Sequence, residues 1–223
     1  KKSLSSNKSA DAAVIPVDDS GKSDFRYLTQ NIESVVLTIP VLRVKDLETV
    51  VTFKNAPDYY VSNALKYTVS PSKDMFNVSV DDYESINTFS VGTIDFKNLS
   101  PSNRVFTFVS DDVSLAEESS TESFNVTVDM SGISQDYISF PRERITLNNP
   151  AKKAYKVSGL NKSVVVVGTA KALESITDDE IKVEVDLSDV DIRTGQSVSV
   201  PAVVSVKSEY CWVYGTYTVD ISL

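Results

Sequence analysis

The sequence predicts an all-β protein, and three observations carry that expectation. Apolar residues recur with a period of two rather than 3.6. The prolines at 16, 40, 57, 71, 101, 141, 150 and 201 fall near the ends of those runs, where a missing N–H does least damage to a ladder. Finally, no apolar stripe at i, i+3, i+4, i+7 lasts long enough for a full helix.

Taken along the chain, the elements follow from local pattern. Residues 1–13 open KKSLSSNKSA, rich in Ser and Lys, and read as a disordered leader. Residues 14–43 end in VVLTIPV (Val35–Val41), which resembles the closing strand of a unit whose start is missing. In 44–134, Phe76, Val78 and Val80 alternate with Asn77 and Ser79, and Val126, Val128 and Met130 alternate with Thr127 and Asp129. In 135–223, Ile181, Val183, Val185 and Leu187 alternate with Lys182, Glu184 and Asp186; Val198 and Val200 flank Ser199; Tyr217, Val219 and Ile221 alternate with Thr218 and Asp220. Such runs are strands with one buried and one wet face, the antiparallel habit. Lys171–Ile176 and Val113–Glu118 are each long enough for one helical turn.

Composition excludes several chemistries. The 223 residues carry no histidine and one cysteine, which removes His- or paired-Cys zinc sites and every Ser-His or Cys-His nucleophile. Seven glycines, none in GxGxxG or GxxxxGK[ST] spacing, leave no phosphate cradle. A net charge of −9 opposes nucleic acid and anionic membrane. Val164–Val167, like every other apolar run in the chain, falls far short of the roughly 20 residues of a membrane span. The expectation is a non-enzymatic binding or scaffolding protein without cofactor or metal. An opening at Lys1-Lys2 without Met suggests removal of a signal or anchor, and hence work outside the cytoplasm.

The chain is also self-similar. VTFKNAP (Val51–Pro57) recurs as ITLNNP (Ile145–Pro150), YESINTFSVGTIDF (Tyr83–Phe96) as LESITDDEIKVEVDL (Leu173–Leu187), and TVDMS (Thr127–Ser131) as TVDIS (Thr218–Ser222). The offsets are all near 90 residues. Four segments follow: a leader (1–13), a partial unit (14–43), and repeats at 44–134 and 135–223, with consecutive modules expected to give an elongated rod. The second repeat, with ITLNNP, KVSGLNKSVVVVG (Lys156–Gly168), ALESI, KVEVDLSDV and TYTVDISL, resembles a YbbR-like repeat. The first keeps FKNAP, VSPS, FNVSV, ESI and IDF but lacks the glycine equivalent to Gly168. The resemblance implies small β modules outside the bacterial cytoplasmic membrane, anchored through an N-terminal segment. It also implies a protein partner at the membrane or cell surface, in the CdaR type a membrane-bound diadenylate cyclase.

Candidate sites are few. Tyr210, Trp212 and Tyr214 would share one strand face, with Cys211 and Val213 on the other. Exposed, the three rings make a partner hot spot or a sugar-stacking platform, the latter pointing to a secreted adhesin or glycan-binding sandwich; unexposed, they belong to the core or its rim. Cys211 reads as a small buried hydrophobe. The acid pairs Asp18-Asp19, Asp81-Asp82, Asp111-Asp112, Glu117-Glu118 and Asp178-Asp179-Glu180 read as turn-formers ahead of hydrolytic carboxylates. DLSDVD (Asp186–Asp191) offers calcium-like oxygens without EF-hand spacing, and Asp95 and Asp186 suggest a shared turn role. Val113–Ser123 reads as a mobile acidic loop present only in the first repeat.

Overall fold

A computed structural model describes residues 6–23, 32, 34–112, 115–117, 119–193 and 195–223. Residues 1–5 of the leader, Val113, Ser114 and Glu118 of the acidic stretch, and the side chains of Asp112 and Asp178 lie outside that description. Among the described residues the chain is mostly strand, as alternation predicts. In chain order come β1 (Lys8–Ala13), β2 (Ser34–Ile39), β3 (Leu42–Lys54), a single helical turn α1 (Asp58–Ser62), β4 (Tyr67–Ser70), β5 (Lys73–Ser79), β6 (Thr88–Asp95), β7 (Val105–Val109) and β8 (Ser123–Val128). Then follow β9 (Ile133–Ile138), β10 (Thr146–Asn148), β11 (Lys156–Leu160), β12 (Val164–Thr169), α2 (Ala170–Ser175), β13 (Ile181–Asp186), β14 (Ser197–Val206), β15 (Cys211–Tyr214) and β16 (Tyr217–Ser222).

The chain divides into two compact units interleaved along the sequence. One comprises Lys1–Glu48, Lys73–Phe89 and Ser110–Glu122; the other Thr49–Ser72, Ser90–Val109 and Ser123–Leu223.

In the first unit, β1 and β2 pair antiparallel from Lys8↔Ile39 to Ala13↔Ser34. The leader expectation is therefore corrected for residues 8–13: the alanines of β1 match the apolar strand beside them, and Asn7 fixes its start by accepting from the Val41 N–H at 2.8 Å. The first half of β3 pairs antiparallel with β5, from Leu42↔Ser79 to Glu48↔Lys73. The acidic stretch is also corrected, because its described part is docked. Leu115 bridges Phe76, Ala116 donates to the Met75 carbonyl at 2.9 Å, and Asn77 donates to the Leu115 carbonyl. Ala116 is buried and Ser119 hydrogen-bonds Asp74, so an apolar pair overrides the polarity that suggested a loose loop.

The second unit holds the larger core. Its five-stranded sheet runs β10-β13-β14-β16-β11, parallel between β10 and β13 and antiparallel elsewhere. β13 shows why: Ile181, Val183 and Val185 are buried while Lys182, Glu184 and Asp186 face water. Val183, Val185, Leu187, Val219 and Ile221 form one cluster with Ile145 and Ile192. Pro201 sits inside β14 because β13, whose last partner there is Ala202, has already ended on that side. A three-stranded sheet, β15-β12-β9, packs Val164, Val166, Cys211 and Val213 with Ile181 and Tyr217. β4, β8 and β7 form an antiparallel sheet in the order β4-β8-β7, and the second half of β3 lies beside β6, with Thr52 and Thr93 hydroxyls 2.7 Å apart.

Phe108 of β7 packs closely against Gly92 of β6, and a Cβ at Gly92 would overlap its ring. Val183 and Val204 are register partners on β13 and β14.

Candidate functional site

The strand β15 positions the three aromatic residues singled out from the sequence. It pairs antiparallel with β12, matching Val165 to Tyr214, Val166 to Val213, Val167 to Trp212 and Gly168 to Cys211. Gly168 allows this closeness: a Cβ there would stand 2.5 Å from the Cys211 Sγ and 2.9 Å from the Tyr210 carbonyl oxygen. Alternation then sends Cys211 and Val213 into the core beside Val164 and Val166, and Trp212 to the opposite side.

That opposite side is covered, so of the two readings Trp212 takes the one in which it belongs to the core. Trp212 is only 4% exposed. Its indole N–H donates to the Leu99 carbonyl at 2.8 Å. Phe96 meets the indole edge-on at 4.9 Å between centroids, and Tyr60 of α1 does so at 5.6 Å. Phe53 packs edge-on against both Phe96 and Tyr67. Nearby, the Gly215 N–H donates to the Lys97 carbonyl at 2.7 Å. Trp212 is thus the centre of an aromatic cluster fed by β3, α1 and the turn after β6. Tyr214 is half-buried, and its carbonyl accepts from the Tyr217 hydroxyl at 2.7 Å. Of the three, only Tyr210 remains open, at 42% exposure, its ring 4.8 Å from that of the similarly open Tyr59 and tilted by 42° to it.

Two of these aromatics, Tyr60 and Phe96, escaped the sequence reading. The signal available was Asn-Ala-Pro before Asp58, since a proline followed by an acid opens a helical turn. Tyr60 is 6% exposed, and its hydroxyl has no hydrogen-bond partner among the described residues. Burial, followed by the nearby Cys211 and Tyr59, pushes that hydroxyl's pKa up. Burial likewise raises the Cys211 thiol against a lowering contact from Ser208, so the thiol stays protonated and inert at neutral pH.

Two shallow hollows adjoin the cluster. One, of about 210 Å³, is lined by Asn55, Pro57, Lys97, Ser205, Ser208 and Trp212. The other, of about 420 Å³, lies between Thr169, Lys171, Ser175, Ser208 and Tyr210.

The carboxylates serve turns. Asp95 accepts from the Lys97 N–H at 3.0 Å and from Asn55 at 2.9 Å, with Lys54 at 3.4 Å. Asp186 accepts from the Ser188 N–H at 3.0 Å, the Ser188 hydroxyl at 2.6 Å and Asn148 at 3.0 Å. Both therefore close the same Asx turn after a strand, the shared role their positions suggested. Asp18 does likewise for Ser20 and Lys22, and Asp179 pairs with Arg144 in open solvent. Asp191, the last acid of DLSDVD, pairs with Lys153 at 3.3 Å. Among the described residues no three His, Cys, Asp or Glu side chains converge as a metal site, and no helix is long and apolar enough to cross a membrane.

Comparison with protein-family models, with curated proteins and with solved structures found no match to this chain.

Proposed function

We propose that residues 44–134 and 135–223 are two copies of one β module of the YbbR-like kind, and that the protein acts without catalysis, by contact with a protein partner at the bacterial cell envelope. The observation that carries this reading is a common pairing order. The second copy runs β10-β13-β14-β16-β11 in one sheet; the first keeps the pairs β3-β6 and β7-β8-β4 in the same chain order, with β6 and β7, the counterparts of β13 and β14, in separate sheets. Leu147 opposite Val185 sits one residue beyond Thr146 opposite Glu184, the counterparts of Thr52 and Thr93. β9-β12-β15 has its counterpart in the first half of β3, β5 and the Leu115 bridge. The Asp95 and Asp186 turns recur at matching places.

Modules of this kind offer sheet edges, whose unpaired N–H and C=O groups accept a strand from another protein. A membrane-bound diadenylate cyclase is the partner the family resemblance favours. The test is co-reconstitution of the cyclase from the same source with this protein in vesicles, reading cyclic di-AMP formation and co-purification. A changed rate together with a stable complex is expected. An unchanged rate without complex formation removes the cyclase as partner.

A further inference from the structure

We infer that the β1–β2 hairpin is the closing hairpin of a third copy of the module, and that its apolar face is a docking surface for the first half of that copy, supplied by polypeptide upstream of Lys1. The inference rests on the two-copy reading above, not on the cyclase, and an interval carries it. Val35, Leu37 and Ile39 of β2 stand 91 residues before Val126, Val128 and Met130, which stand 91 before Tyr217, Val219 and Ile221. In each case the strand pairs antiparallel with the one preceding it in the sheet order, and Ala12, Phe106 and Ala202 are the partners of Val35, Val126 and Tyr217. The following strand also keeps the interval, with Leu42 opening β3 and Ile133 opening β9.

Burial alone separates the three. The six later residues are exposed by 5% or less, whereas Val35, Leu37 and Ile39 are exposed by 48%, 53% and 51%. The side chains covering Val219 and Ile221 come from earlier strands: Val183 and Val185 of β13, Val157 and Leu160 of β11, and Ile145 before β10. β13, β11 and β10 begin 36, 61 and 71 residues before Tyr217. Counted back from Val35, the same intervals fall before Lys1. The free edges agree, since β16 is flanked by β11 and β14 by β13, while β1 and β2 have only each other among the described residues. Three large aliphatic side chains on one strand face with both edges open would otherwise invite aggregation.

The experiment compares the chain starting at Lys1 with the gene-length protein. Amide hydrogen exchange at Val35–Ile39 is expected to slow by about 100-fold or more when the upstream residues are present. Leu37→Asp is expected to lower the midpoint of thermal unfolding of the gene-length protein and to leave that of the shorter chain unchanged. The inference is overturned by a reading frame that begins near Lys1, by equal exchange in both proteins, or by a concentration-dependent dimer of the shorter chain that protects β2, which would make a second copy the occupant.

Discussion

Replacing Trp212 separates a packing role from a ligand-stacking role. The side chain is buried to within 4% of its surface, so truncation to alanine removes about 150 Å² of apolar contact, or roughly 4 kcal/mol at 25 cal/mol per Å². That agrees with the 3–5 kcal/mol usual for large-to-small aromatic truncation. The Leu99 carbonyl also loses its donor, which adds about 1 kcal/mol. Trp212→Phe keeps a ring against Phe96 and Tyr60 but gives up that hydrogen bond, so about 1–2 kcal/mol is expected. With a urea slope of about 2.5 kcal/mol per M, Trp212→Ala lowers the midpoint by roughly 2 M and Trp212→Phe by about 0.4–0.8 M. Urea unfolding followed by far-ultraviolet circular dichroism measures both. Trp212 is the sole tryptophan, so native emission should be blue-shifted and poorly quenched by acrylamide. Equal midpoints for wild type and Trp212→Ala, or quenching as efficient as in urea, would refute the burial argument and restore the exposed aromatic platform.

Three further outcomes are expected. Gly92→Val drives a side chain into the Phe108 ring and should cost about 1–3 kcal/mol, while Gly92→Val with Phe108→Val recreates the Val183–Val204 pair and should recover at least half, read as a double-mutant cycle in urea. Cys211, 2% exposed with its thiol pKa raised by burial, should react with a disulfide reagent only after unfolding; rapid labelling of native protein would contradict its packing. Burial raises the Asp95 carboxyl, but hydrogen bonds from Asn55, Lys97 and Lys54 outweigh it, and Asp186 is lowered chiefly by the Ser188 hydroxyl and N–H. A depressed folded pKa stabilises fully above the unfolded value near 4 and is lost as pH falls through the folded one. Thermal stability should therefore drop below about pH 4, and Asp95→Asn should flatten that drop; an unaltered acid limb would show that these turns are not its source.

How much was legible depended on whether the deciding contact is local. β5, β8, β13 and β16 announce themselves because each is wet on one face, and α2 because Lys171–Ile176 is a short helix-forming run bounded by strands. The Asx turns at Asp95 and Asp186 are equally local. β1 was hidden by polar composition, since only its partner β2 is apolar. The acidic stretch misled for the opposite reason: Leu115 and Ala116 are two residues among many polar ones, and they matter only because β5 has an edge there. Trp212 is the extreme case, its hydrogen-bond partner lying 113 residues earlier. No window of sequence contains both.

Under the proposed two-copy reading, the trade of side-chain volume between Gly92–Phe108 and Val183–Val204 bears on how similar neighbours avoid entanglement as they emerge from the ribosome. A strand that annealed to the wrong copy would set Val183 against the Phe108 ring, an overlap, or Gly92 against Val204, a void. Either mistake carries its own penalty, so on that reading divergence between the copies would act as a proofreading code written in atomic size.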